Sequence, residues 1–240
     1  MAIQTQTLDY THNGDTLEAF VAWDDAVGEQ RPGVMVCHAW AGRTGFEDNV
    51  ACKLAERGYV GFAMDCYGKG IQGSGPEENT ALMQPFLENR PLLQERLTSA
   101  MDTMRELSTV DGRRAAAIGY CFGGLGVIDL ARTGLNFSGA VSFHGLFNRP
   151  GNTDGNQIKA KILALHGWDD PLVPPEEVIA FREEMTTAKV DWQLIGYGGT
   201  MHAFTDPDAN RPDIGGLYNA DADRRSWLAM ENFLTEIFDD

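Results

Sequence analysis

Four stretches of this 240-residue chain place residue types that could carry nucleophilic chemistry. The first is Gly119-Tyr120-Cys121-Phe122-Gly123-Gly124, preceded by the apolar run Ala115-Ala116-Ala117-Ile118 and followed by a segment of helical spacing. A thiol on a sharp turn between strand and helix meets backbone N–H groups and the positive end of the helix dipole. Both favour the thiolate. Strand and helix approach closely at such a turn, so its flanks must be small, as Gly119 and Gly123 are. The N–H of Phe122, directly after the nucleophile, would face a developing oxyanion.

The second stretch, Leu165 to Pro174, sets Asp169 and Asp170 after a strand and before a helix. An acid there can hold a histidine in one tautomer and stabilise its cation. Both aspartates compete for the role; Pro171 fixes the chain after Asp170 and favours it. The third stretch, Gly196-Tyr197-Gly198-Gly199-Thr200-Met201-His202-Ala203-Phe204, delivers His202 on a glycine-rich loop. The chain order nucleophile, acid, histidine is that of α/β-hydrolases. The fourth, Cys37-His38-Ala39-Trp40-Ala41-Gly42, follows an early strand. In that fold this loop supplies the second oxyanion N–H, here expected from Trp40, whose indole would wall the pocket. Cys37, Cys52 and Cys66 lie in apolar segments and read as core. His12 has no assigned role, and His166, ending a strand, reads as a structural hydrogen-bonder.

These residues need a frame. Asn13-Gly14 between two strand-like runs reads as a hairpin with a type I′ turn. Strands then alternate with helices: Val34–Cys37, a helix over Phe46–Arg57 stopped by Gly58, Tyr59–Met64, a glycine-rich excursion over Gly68–Glu78, and helices over Thr80–Glu88 and Pro91–Leu107. After Ala115–Gly119 come a helix over Phe122–Arg132, strands Ala140–Phe143 and Ile162–His166, a helix over Pro174–Ala188, strand Val190–Ile195 and an amphipathic helix over Asp221–Phe238. Continuously apolar strands alternating with helices predict an α/β fold: a mostly parallel central sheet, helices on both faces, and an N-terminal antiparallel hairpin. No linker or repeat interrupts the pattern, so one domain over residues 1–240 is expected. In such sheets chemistry collects at the C-terminal strand ends, where all four stretches lie.

Composition narrows the partners. Lys+Arg 19 against Asp+Glu 35 leaves a formal net charge of −16, which disfavours nucleic acid and anionic membranes. No apolar run approaches the ~18 residues of a membrane span. The first residues lack a basic region and an apolar core, so no signal peptide is expected. Four cysteines without a C-x-x-C pair suit a reduced, cytoplasmic protein.

The motifs resemble the dienelactone hydrolase family. The likeness runs from about Arg31 to the C-terminal helix and rests on Gly119 to Gly124, Gly58-Tyr59, Asp65-x-Tyr67-Gly68, Asp170 with Val173-Pro174, and His202-x-Phe204. The resemblance implies an α/β-hydrolase fold and cofactor-free hydrolysis of esters and lactones. It casts Cys121 as nucleophile, His202 as base, Asp170 as orienter, and the N–H groups of Phe122 and Trp40 as oxyanion donors. Ala39 stands where the family has a glutamate that interacts with the nucleophile; Glu77, Glu78 and Glu88 are carboxylates that could fold back in its place. Asp206 stands where an arginine would hold a substrate carboxylate. A small neutral substrate is therefore expected, with His38, Ala39, Phe143, His144 and Phe204 as pocket walls. The pattern is also similar to metagenome-derived members that hydrolyse phosphotriesters. A thiolate, from a thiol of pKa about 8.5, leaves phosphorus more easily than a serine alkoxide does.

Two other readings compete. His38, His144, His166, His202 and Asp170 could serve a metal-dependent hydrolase, but no His-x-His or His-x-x-x-His spacing supports a metal site, and none is expected. A non-catalytic α/β-hydrolase-fold ligand-binding protein is the other.

Overall fold

The computed structural model describes residues 2–26, 30–154 and 157–239. Strands β1 (Ile3–His12) and β2 (Asp15–Asp24) pair antiparallel. Asn13 and Gly14 between them both take positive φ, 51° and 86°, as a type I′ turn requires. β3 (Arg31–Cys37) and β4 (Val60–Ala63) run parallel, and every residue in them is buried, which explains their unbroken apolar runs. β2 pairs antiparallel with β4.

Helix α1 (Gly45–Glu56) starts at Thr44, whose hydroxyl accepts the Phe46 N–H, while the Glu47 carboxylate accepts the Thr44 N–H. That reciprocal arrangement satisfies donors the helix itself cannot. α2 (Pro76–Glu88) begins earlier than the expected Thr80. Pro76 suits the first helical position, and Glu78 accepts both the N–H and the hydroxyl of Ser74 just ahead of the helix. The glycine-rich excursion therefore stops at Gly75. α3 (Arg90–Arg105) follows.

The chain divides into two compact units, Met1–Ile118 and Gly119–Asp240. The division falls inside β5 (Val110–Tyr120), not in a linker. β5 is longer than its apolar stretch, because Asp111 pairs with Arg113 and Arg114 and lets the polar residues join the strand.

The second unit carries α4 (Phe122–Arg132), buried on all sides, and the parallel strands β6 (Gly139–Phe143), β7 (Lys161–Gly167) and β8 (Trp192–Tyr197). α5 (Pro175–Thr187) precedes β8. β8 starts later than the expected Val190, because the Val190 N–H still closes onto Met185 O and Lys189 turns at φ 56°. α6 (Ala220–Asp239) buries Ala222, Ser226, Met230, Phe233, Leu234 and Ile237, one face at helical spacing.

The order in the eight-stranded sheet is β1-β2-β4-β3-β5-β6-β7-β8, the mostly parallel, helix-flanked arrangement the segment pattern implies. β9 (Asn210–Arg211) and β10 (Gly216–Leu217) form a separate ribbon. No helix among the described residues is long and apolar enough to cross a membrane.

Candidate active site

β5 ends at Tyr120, α4 begins at Phe122, and Cys121 between them takes φ 54°, ψ −112°. A non-glycine residue there is strained by about 1–3 kcal/mol and persists only when its surroundings over-determine it. They do. A Cβ on Gly119 would sit 2.2 Å from Gly123 O, so no side chain fits where strand and helix meet. The Cys121 N–H is shared between Phe143 O at 3.0 Å and His144 Nδ1 at 3.1 Å. The Cys121 carbonyl accepts the Leu125 N–H, closing the first turn of α4. Cys121 keeps part of its surface exposed. Cys37 and Cys66 are buried, and burial pushes both thiols upward.

His202 Nδ1 lies 2.7 Å from Asp170 Oδ2, and both side chains are buried. Asp170 Oδ1 accepts the Leu172 N–H. Asp169 is exposed, so of the two competing aspartates it is Asp170 that meets the histidine. Gly167 lets their loops close: a Cβ there would come within 2.5 Å of Met201 O. The His202 backbone is held on both sides, its N–H by Gly215 O and its carbonyl by the Leu217 N–H. Burial opposes a charge on the ring. Cys121 and the Asp170 carboxylate outweigh burial and hold the imidazolium up to about 10. Cys121 favours the protonated ring both through charge and through hydrogen bonding.

The expected pocket walls need correction. Phe143 and Phe204 expose 1% and 0% of their surface, and a substrate cannot touch a side chain with no reachable surface. Phe143 stacks on Tyr120, and Phe204 packs edge-on to His144 and Tyr197. His144 is buried beneath Cys121 and serves its backbone. His38 is buried too: its Nε2 accepts the Cys66 N–H, which leaves the proton on Nδ1, 2.6 Å from Ala39 O. It ties two loops of the first unit together. Ala39 and Trp40 keep partial exposure, and the Trp40 carbonyl accepts the Tyr67 hydroxyl. His166 is not the hydrogen-bonder its position suggested. Its Nδ1 is buried without a partner among the described residues, and it packs on Phe147 and Trp168.

Sequence reasoning missed three supports. Thr205 holds His144 Nε2 at 2.8 Å, a contact across 61 positions with no local signal. Gly215 backs His202. Glu47 brings a carboxylate to the Ala39 N–H at 3.4 Å, and the Thr44-x-x-Glu47 capping pattern was its visible trace. Glu78 and Glu88 are instead engaged with Ser74 and Gln84. Among the described residues no cluster of three or more His, Cys, Asp or Glu side chains could hold a metal ion.

The dienelactone hydrolase family model matches residues 17–238. A solved structure titled "m3DLH" superposes with a TM-score of 0.94 at 33% identity, covering 99% of this chain and 100% of that one. A solved dienelactone hydrolase-like promiscuous phosphotriesterase from metagenomic libraries gives a TM-score of 0.93 at 35% identity, with the same coverage, 99% and 100%. A protein of Aquifex aeolicus (strain VF5) named "Putative carboxymethylenebutenolidase" is 28% identical over 235 residues, 95% of this chain and 96% of its own length.

Proposed function

The chain belongs to the dienelactone hydrolase family of ester and lactone hydrolases, and from that premise we propose that it cleaves small neutral esters or lactones through a covalent thioester on Cys121. The observation that carries this is the strained Cys121 at the head of α4, in the same unit as the buried Asp170–His202 pair.

The Cys121 thiolate attacks the carbonyl carbon, and the carbonyl π pair moves to oxygen. The Phe122 N–H stabilises that oxyanion. The second donor is assigned to the Trp40 N–H, as the resemblance to the family implies. Collapse breaks the C–O bond, and the departing alkoxide takes the proton of the His202 imidazolium. Neutral His202, oriented by Asp170, then removes a proton from water as the water attacks the thioester. The second collapse restores the thiolate and releases the acid. The acidic chain and the exposed Asp206 support a neutral substrate. The four free cysteines support a reducing, cytoplasmic setting in which Cys121 stays a thiol.

The likeness to a phosphotriesterase favours phosphotriesters as a second substrate class. Attack at phosphorus would follow the same course through a phosphorothiolate, from which sulfur leaves readily.

Intact mass and product release for wild type, Cys121→Ala and His202→Ala test the proposal, with a neutral p-nitrophenyl ester, a neutral aryl phosphotriester, and chelator present or absent. A Cys121-dependent adduct with turnover is expected, and the ratio of rates ranks the two substrate classes. Turnover that survives Cys121→Ala, or that chelator abolishes, would overturn it.

A further inference from the structure

The surroundings of the His144 ring fix its tautomer. A backbone N–H can only donate, and that of Cys121 reaches Nδ1 at 3.1 Å, so Nδ1 holds the lone pair and Nε2 the proton. Nε2 lies 2.8 Å from Thr205 Oγ1, the acceptor that this tautomer needs. The ring is enclosed by Phe204 at 5.0 Å, His202 at 5.1 Å and Tyr120 at 6.1 Å between centroids. His144 itself sits at φ 41°, with its N–H held by Leu165 O. One hydrogen bond thus joins two strained residues, Cys121 and His144.

From this geometry we propose that His144 is a positioning residue for the Cys121 nucleophile, locked uncharged as the Nε2–H tautomer by Thr205, which ties the elbow to the loop bearing His202. The inference rests on the covalent reading of Cys121 given above. Without the ring, the Cys121 N–H keeps only the Phe143 carbonyl, and the sulfur loses part of its aim. A protonated His144 would turn Nδ1–H against the Cys121 N–H, donor to donor. It would also bring a second positive charge beside His202. Burial and the His202 charge both hold His144 uncharged. Other titratable groups near the ring are Tyr120 on β5, Cys121 itself, Asp170 behind His202, and His166 on β7, which interacts electrostatically with Asp170 and His202.

Two measurements test this. Long-range proton–nitrogen correlation spectra of the wild type, with the signal assigned through His144→Asn, report the tautomer directly. The Nε2–H pattern is expected at neutral pH; an Nδ1–H or doubly protonated ring overturns the proposal. The second is alkylation of Cys121 by iodoacetamide across pH, read by mass on its own peptide, for wild type, His144→Phe, His144→Asn and Thr205→Val. Phenylalanine keeps a ring without an acceptor, whereas asparagine returns an oxygen near the Nδ1 position. Loss of one hydrogen bond to the Cys121 backbone is expected to slow alkylation of His144→Phe by about two- to tenfold with its melting temperature retained. His144→Asn should recover to within about 1.5-fold of wild type. Thr205→Val should fall between them and shift the pH profile, because the tautomer is released. Wild-type alkylation by His144→Phe, or no recovery by His144→Asn, overturns the proposal. Should His144→Phe fail to fold, the wild-type spectrum and Thr205→Val decide. Alkylation needs no ester: variants that respond as expected in a protein that hydrolyses none would support His144 while defeating the hydrolytic reading.

Discussion

Oδ2 of Asp170 lies 2.7 Å from Nδ1 of His202, while Oδ1 of the same carboxylate accepts the Leu172 N–H. The acid is thus held by its own loop and faces the ring with its second oxygen. Asparagine in that place could turn its amide N–H₂ toward Nδ1 and favour the wrong tautomer. Asp170→Asn should therefore lower kcat on the order of 10³- to 10⁴-fold at nearly unchanged KM. The exposed Asp169 makes the control: Asp169→Asn should stay within about twofold, as surface changes do. Steady-state kinetics on both variants check this, and a similar loss in the two would contradict the pairing.

The charge on His202 links stability to pH. Burial lowers its affinity for a proton, but Cys121 and Asp170 raise the folded value from 6.5 to about 10. A folded pKa above the unfolded one means that the native state holds the proton more tightly. The resulting stabilisation is full below 6.5 and is lost as pH climbs through about 10. Cys121→Ala removes the leading raising influence, so its loss should be complete at lower pH. Urea unfolding at a series of pH values, with carbon–proton spectra of the His202 ring, would show it. Coincident profiles for wild type and Cys121→Ala would rule out an electrostatic hold by the sulfur.

The residues that bear chemistry were legible because each is forced by local geometry. Gly119 and Gly123 announce the turn that only small flanks permit, and the acid and histidine each follow a strand. The rings were not legible. His38, Phe143, His144 and Phe204 all stand at strand ends or in the loops beyond them, where pocket residues also stand, and sequence position does not tell which way a ring turns. What turned them inward are distant partners: Cys66 for His38, 28 positions away, and Thr205 for His144, 61 positions away. The early start of α2 has a nearer cause, the Ser74–Glu78 contact, but glycines at 68, 70, 73 and 75 masked it.

Gly215 couples the histidine to the acid. It sits at φ 89°, its carbonyl accepts the His202 N–H, and a Cβ there would lie 2.3 Å from Pro171 Cγ, next to Asp170. Gly215→Ala meets strain and clash together and should cost about 1–3 kcal/mol of stability. The displaced loops should lower kcat as well, on the order of 10²-fold. Gly216→Ala is the matched control, since its Cβ would find nothing nearer than Arg211 O at 3.9 Å. Melting temperature and kcat together decide: equal effects at the two glycines would place the constraint in the ribbon at large.

Arg132 should govern stability without governing chemistry. Its side chain is buried at the C-terminal end of α4 and pairs with Asp129 at 3.2 Å and Glu184 at 2.6 Å. It also donates to the carbonyls of Phe147 and Asn148. Arg132→Met keeps much of the volume and withdraws the cation from a fully buried carboxylate. Breaking a buried pair in this way costs about 3–5 kcal/mol. Arg182, more than half exposed and paired with the exposed Glu183, should cost less than about 1 kcal/mol when changed to Met. The urea midpoint measures both. Cys121 lies at the opposite end of α4, a helix of about 16 Å at 1.5 Å per residue. Folded Arg132→Met should therefore keep its kcat while its unfolding midpoint falls. A parallel loss of kcat in fully folded protein would mean that the ion cluster reaches the elbow through the helix.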